Sequence, residues 1–180
     1  KPPGLVPGRG DGEGILTMAM DKDRKHLYGI TWPKGYFLDY DIANNKLKDL
    51  GLISEQGEDG KIGEDYRVLC RSMFVDPRDG NVYYSVAEGD IYCYNPSWSA
   101  IRKVEDVDLR KDYFGKYDPK DAGSMAYNWR KIQWYEPENV AYGVHGNSGY
   151  LFKFDPANKN IELVERITSD PSRKCGMFDQ

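Results

Sequence analysis

Guanidinium forks grip carboxylates through paired hydrogen bonds, and indole faces stack on sugar rings. Arg67, Arg71, Arg130 and Arg173 each stand at or just ahead of an apolar, strand-like segment, and Trp32 closes another beside Thr31 and Lys34. If the loops bearing them converge, arginines and an indole would ring a cavity suited to an anionic carbohydrate such as a uronate oligomer. The competing reading pairs the same arginines with the chain's 29 acidic residues as ordinary bridges between structural units. His145, one of 2 histidines, precedes the loop Gly146-Asn147-Ser148-Gly149, whose glycines let backbone come close to a ligand. Its neutral imidazole could act as a catalytic base near neutral pH or as a single metal ligand. Asn147 joins the candidate ligand-binding set, with Glu88 and Ser148 as further polar loop residues. His26, matched by Asn81 at a strand entry, is expected to be solvated.

Other chemistries find no footing. Cys70, Cys93 and Cys175 have no zinc-ligand spacing, and Cys93 inside an aromatic segment reads as a small buried hydrophobe. Gly10, Gly12 and Gly14 do not open a helix, so they make no dinucleotide loop. A serine-centred nucleophile elbow is also missing.

The elements that must position these residues are repeated. Leu27-Tyr28-Gly29-Ile30 and Gly35-Tyr36-Phe37-Leu38-Asp39-Tyr40-Asp41 recur, 114 residues on, as Ala141-Tyr142-Gly143-Val144 and Gly149-Tyr150-Leu151-Phe152-Lys153-Phe154-Asp155. Val82-Tyr83-Tyr84-Ser85 and Gly89-Asp90-Ile91-Tyr92-Cys93-Tyr94-Asn95 form a copy between them. Each copy reads as four strands: 15–21, 26–31, 35–41 and 46–51; then 72–76, 82–86, 90–94 and 101–104; then 131–135, 140–145, 150–155 and 161–167. Pro77-Arg78-Asp79-Gly80 is a turn in which Pro presets φ and Gly accepts a positive one. Asp41-Ile42-Ala43-Asn44-Asn45-Lys46 and Asp155-Pro156-Ala157-Asn158-Lys159-Asn160 are matched turns, so these aspartates read as turn formers. Sustained helical periodicity is absent, and the expected class is all-β: blades of a β-propeller, four antiparallel strands each.

The order of apolar strand, Asp-rich turn, x-Val-Tyr and Gly-x-Ile/Leu-x-x-Tyr/Phe-Asp resembles blades of the superfamily that holds NHL-type, streptogramin-lyase-like and SMP-30 gluconolactonase-like propellers. The likeness covers residues 15–167 and lies in architecture. Kelch double glycines and WD dipeptides are absent. It implies ligand sites at the mouth of a central channel, where Arg67, Arg71, Arg130 and Arg173 would enter on innermost strands and Trp32, His145 and Asn147 on loops between second and third strands. Propeller lactonases hold a divalent cation with separated carboxylates and an asparagine; Glu13, Asp76 and Asn147 have the right types, although Asp76 matches Asp21 as a turn residue. No metal residue or cofactor is assigned, a divalent cation staying open.

The blades span about 15–53, 68–106 and 130–168, with 172–180 resembling the opening strand of a fourth. Residues 1–14, rich in Pro and Gly, form an irregular lead-in whose Arg9-Gly10-Asp11 is a chance tripeptide. Because propellers close with four to eight blades, the expected partners are the remaining blades of a six- to eight-bladed ring, or other copies of the chain. The net charge of −4 argues against nucleic acid, and no apolar run is long enough to span a bilayer. Two readings of function follow. The first is an exported module that binds a carbohydrate or protein; the second is a sugar-directed enzyme, a uronate lyase using His145 or a metal-dependent lactonase.

Overall fold

A computed structural model describes residues 14–32, 34–53, 70–86, 89–109, 128–145 and 149–166. They form three antiparallel sheets of four strands, each in sequential order. The first holds β1 (Gly14–Met20), β2 (His26–Trp32), β3 (Tyr36–Asp41) and β4 (Lys46–Leu52). The second holds β5 (Met73–Val75), β6 (Val82–Ser85), β7 (Asp90–Asn95) and β8 (Ala100–Asp108). The third holds β9 (Trp129–Tyr135), β10 (Val140–His145), β11 (Tyr150–Asp155) and β12 (Asn160–Arg166). Apart from one 3-10 turn at Glu136–Glu138, the described residues contain no helix. The protein is therefore all-β and built of propeller-type blades. Strand positions match the sequence expectation within a few residues, the main departure being β8, which runs to Asp108 rather than stopping at 104. The expected opening of another blade at 172–180 and all but the last residue of the lead-in lie outside the described residues.

The first strands of the sheets stand side by side, β1 next to β5 and β5 next to β9, as innermost strands do in a propeller. Alternation along each strand turns one set of side chains toward the preceding blade and the other toward the following one. Two seams result, each with its own apolar core. Tyr28, Ile30 and Phe37 of the first blade meet Met73, Val82, Tyr84 and Tyr94 of the second. Phe74, Tyr83, Ile91 and Val104 of the second meet Trp129, Ile132, Phe152 and Phe154 of the third. Gly143 is required here: a Cβ at that position would fall 2.5 Å from the buried Phe152 ring.

Polar pins run across both seams. The Tyr84 hydroxyl donates to the Ile53 carbonyl at 2.7 Å. At the second seam the Trp129 indole N–H donates to the Ser72 carbonyl at 2.7 Å, and the Trp129 backbone N–H donates to Ser85 Oγ at 3.0 Å. Ser72 Oγ accepts from the Ile132 N–H at 3.1 Å. These pins sit among apolar side chains, where an unpaired polar group would be costly.

The turns are built from side chains that satisfy their own backbone. Asp41 accepts from the Asn44 N–H at 3.0 Å and the Asn44 amide at 2.7 Å, and these bonds hold its carboxyl below the usual carboxylate range. At Asp155, burial would push the carboxyl up, but the equivalent bonds from Asn158 and Ala157 outweigh it and hold it down. Asp76 is 1% exposed and accepts from Arg78 Nη2 at 2.6 Å and Nε at 2.9 Å, while Arg78 lies 4.9 Å over the Trp134 ring of the third blade. The turn role read for these aspartates is what the structure displays.

The two outer faces of the array differ. On the first blade, Ile15, Met18 and Met20 are 53%, 60% and 47% exposed, whereas Met73, at the place of Met18 in the second blade, is 6% exposed. The third blade's outer face is more polar. There Lys153 lies 6.0 Å from the Tyr142 ring and within 3.5 Å of Glu138, with Glu162 at 3.8 Å, and Tyr135 packs edge-on against Tyr142.

Candidate functional site

Strand pairing decides which candidate residues share an end of the array. Gly14 pairs with Trp32, so the start of β1 and the end of β2 lie together. Trp129 pairs with His145, placing the start of β9 at the end of β10. Ser72 bonds Ile132 across the seam, which brings Arg71, just ahead of β5, level with the start of β9, where Arg130 stands. Trp32, Arg71, Arg130 and His145 therefore gather at one end of the blades, the end where second strands run into third strands. Arg67, Arg173 and Asn147 lie outside the described residues, as do Glu13, Glu88 and Ser148.

Within this group the burial is uneven. Trp32, Arg71 and Arg130 are half-buried, and Lys34 beside them is exposed. His145 is 1% exposed, on the face of the third blade turned toward the second. Its repeat equivalent, Thr31, is also buried, and Thr31 Oγ1 accepts from the Tyr36 N–H at 2.9 Å across the loop between β2 and β3. A base at the His145 position would reach only a group that enters the seam between the second and third blades. Among the described residues there is no group of three or more His, Cys, Asp or Glu gathered as a metal site requires, and Asp76 is engaged by Arg78.

A second constellation, at the opposite end of the array, was not visible as such in the sequence. His26, expected to be solvated, instead places Nδ1 2.7 Å from Asp39 Oδ1. Asp39 is 2% exposed, and its Oδ2 accepts from the Tyr94 hydroxyl of the second blade at 3.1 Å. Tyr28 stacks on the His26 ring with centroids 6.1 Å apart. Burial first, then the charge of Asp39, pushes the Tyr94 phenol up to about 12 and the Tyr28 phenol higher still. Tyr94 thus stays protonated at ordinary pH and donates to the carboxylate. The signal was faint: Asp39 aligns with Cys93 and Lys153 in the other copies, so a carboxylate stands on an inward strand position that varies in type.

The described surface also carries a groove of about 450 Å³ on the outer rim between the second and third blades. Tyr83, Cys93, Val104 and Pro156 line it together with Trp98, Arg102 and Lys159, and Asn81, Asn95, Lys103 and Glu105 add further polar groups. Burial pushes the Cys93 thiol up to about 11, so it remains a thiol at neutral pH, in keeping with the hydrophobe read from the sequence.

No family model and no curated protein matches this sequence. Solved structures do share its fold. The hydrazine synthase of Kuenenia stuttgartiensis superposes with a TM-score of 0.59 at 13% identity, over 93% of this chain and 40% of its own. An auxiliary nutrient binding protein from Bacteroides thetaiotaomicron gives 0.53 at 14%, over 87% of this chain and 33% of its own. A protein of unknown function from the same organism gives 0.54 at 12%, over 81% and 32%. The chain thus spans about a third to two-fifths of the length of these structures, and at such identities the likeness is one of fold.

Proposed function

We propose that the three sheets are consecutive blades of a larger β-propeller that serves as a binding module, and that the end carrying Trp32, Arg71 and Arg130 receives an anionic carbohydrate of the uronate type. The observation that carries this reading is the strand pairing that gathers two guanidinium groups and an indole from separate blades at one end. Guanidinium donors suit the carboxylates of such a sugar, and the indole suits its ring. A neighbour of the same fold is named for nutrient binding, which agrees with a binding role. The exposed apolar face of Ile15, Met18 and Met20 agrees with a further blade packing against the first, since blade faces of this kind are buried at both internal seams.

Calorimetric titration with a uronate oligomer tests the ligand. Arg71→Gln and Arg130→Gln are each expected to weaken binding about tenfold to a hundredfold, the value of a hydrogen bond to a charged group. Unchanged affinity in both variants would sink the channel-end site. Appearance of an unsaturated sugar product during the titration would convert the binder into a lyase. For the ring, sedimentation of the purified 180-residue chain should show self-association through the apolar face, relieved by Met18→Lys. A monodisperse monomer that Met18→Lys leaves unchanged would count against a covered face.

A further inference from the structure

The rim groove lies at the other end of the blades from the cluster just described and shares none of its residues. It opens where the β7–β8 turn of the second blade faces the β11–β12 turn of the third. Its most unusual member is Trp98, whose side chain is 66% exposed in a chain that buries Trp129 completely. The turn that carries the indole is braced by hydrogen bonds. The Trp98 N–H donates both to the Asn95 carbonyl at 3.2 Å and to Asn95 Oδ1 at 3.1 Å, and Ser99 next to it takes a left-handed φ of 48°. The Asn95 amide in turn donates to Asn81 Oδ1 at 2.7 Å, which ties the turn to the neighbouring hairpin.

The Arg102 guanidinium lies 5.2 Å from the Trp98 ring centroid. A guanidinium resting on an indole face keeps its N–H edge free for a planar anion. Lys159 adds a second cation from the third blade, on a turn position with φ of 50°. Lys103, by contrast, is engaged by Asp90 at 3.0 Å. The lining sets Tyr83, Val104 and Pro156 beside the polar Asn81, Asn95 and Glu105, and the volume of about 450 Å³ falls in the ~300–1,000 Å³ range of small-ligand sites. Two cations from facing blades, one of them backed by an indole, beside the apolar surfaces of Tyr83, Val104 and Pro156 match a pyranose ring bearing an acidic group. A peptide strand is matched less well. Addition along the β8 edge would meet Lys103, Glu105 and the break in register near Asp106, whose φ is 66°, and charges and bulges of this kind blunt an edge.

We infer that the rim groove is a second saccharide-binding site, in which Arg102, backed by the Trp98 indole, and Lys159 take the carboxylate of an acidic sugar whose ring lies beside Trp98 and against Tyr83, Val104 and Pro156. This site stands apart from the channel-end reading, although the ligand chemistry is the same. The test is an NMR titration of the nitrogen-labelled chain with trigalacturonate, following the tryptophan indole signals, with Trp98 assigned by its loss in Trp98→Ala. The Trp98 indole is expected to shift and saturate. Arg102→Gln should weaken that response about tenfold, the low end for a charge-assisted bond, and a neutral trisaccharide should bind at least as weakly. Arg71→Gln and Arg130→Gln should leave the Trp98 response unchanged. A Trp98 signal that stays fixed at millimolar ligand overturns the rim site, even if channel-end variants change total binding. Tighter binding of an acidic peptide than of trigalacturonate at the same signals overturns the saccharide assignment.

Discussion

Trp129→Ala is expected to destabilise the protein by about 3–5 kcal/mol, the range for truncating a large buried aromatic. Trp129 is fully buried in the seam between the second and third blades, in ring contact with Phe74, Phe152 and Phe154. Its removal opens a cavity among rings that cannot collapse onto one another. It also strips the Ser72 carbonyl of its indole donor. Trp129→Phe separates the two contributions. It restores much of the ring volume without the N–H, and the Ser72 carbonyl keeps the Cys70 thiol at 3.3 Å, so about 0.5–1.5 kcal/mol should remain lost, the net value of a hydrogen bond. Urea unfolding followed by far-ultraviolet circular dichroism reads both values. A loss under about 1 kcal/mol for Trp129→Ala would mean that the seam repacks, contrary to the density expected of protein interiors.

The second large effect belongs to the Asp39 cluster. Asp39→Ala removes the acceptor that Tyr94 and His26 share and leaves the buried Tyr94 hydroxyl with Ser99 as its remaining hydrogen-bond neighbour. The expected loss is about 2–4 kcal/mol, above that of a single neutral hydrogen bond because one of the partners is a buried carboxylate. Tyr94→Phe alone should cost about 1–2 kcal/mol. In the double variant the hydroxyl no longer needs an acceptor, so the costs should fall short of additive by at least about 0.5 kcal/mol. Strict additivity across this cycle would show that the bond between the blades contributes nothing to holding the first seam closed.

Both effects concern contacts that join blades, and that is where sequence reading was weakest. Within a blade the chain is explicit. Alternating aromatic and aliphatic residues mark the strands, and Asp41, Asp76 and Asp155 mark turns whose side chains bond their own backbone a few residues on. Such interactions span short sequence distances and recur in each copy, so alignment of the copies exposes them. Ser72 and Ile132, or Asp39 and Tyr94, are far apart in sequence and come from copies that differ at those positions. Repeat logic explains what the copies share, and therefore passes over what one blade does to the next. The same limit affected His26. Its match to Asn81 suggested a solvated strand entry, but Asp39, unlike its counterparts Cys93 and Lys153, gives the imidazole a partner.

The candidate site divides in the same way. Trp32, Arg71, Arg130 and His145 were legible as residue types because few chemistries use Arg, Trp and His, and their common end follows from strand direction alone. Their burial was not legible. His145 lies within the seam because the alternation of β10 turns it toward the second blade, while Trp32 and the arginines remain partly open. Trp98 carries no signal of its exposure in the sequence, which cannot tell an indole that folds onto a core from one that stands out on a turn.

By itself, the sequence determined that the protein is all-β, that its strands come in fours, and where its turns fall. Those features are local and repeated, so periodicity and turn chemistry suffice to specify them. Only the tertiary structure decided which faces meet, which polar atoms must be paired between blades, and which cations and indoles share a surface. These depend on side chains distant along the chain arriving at one place, and no local pattern encodes that arrival.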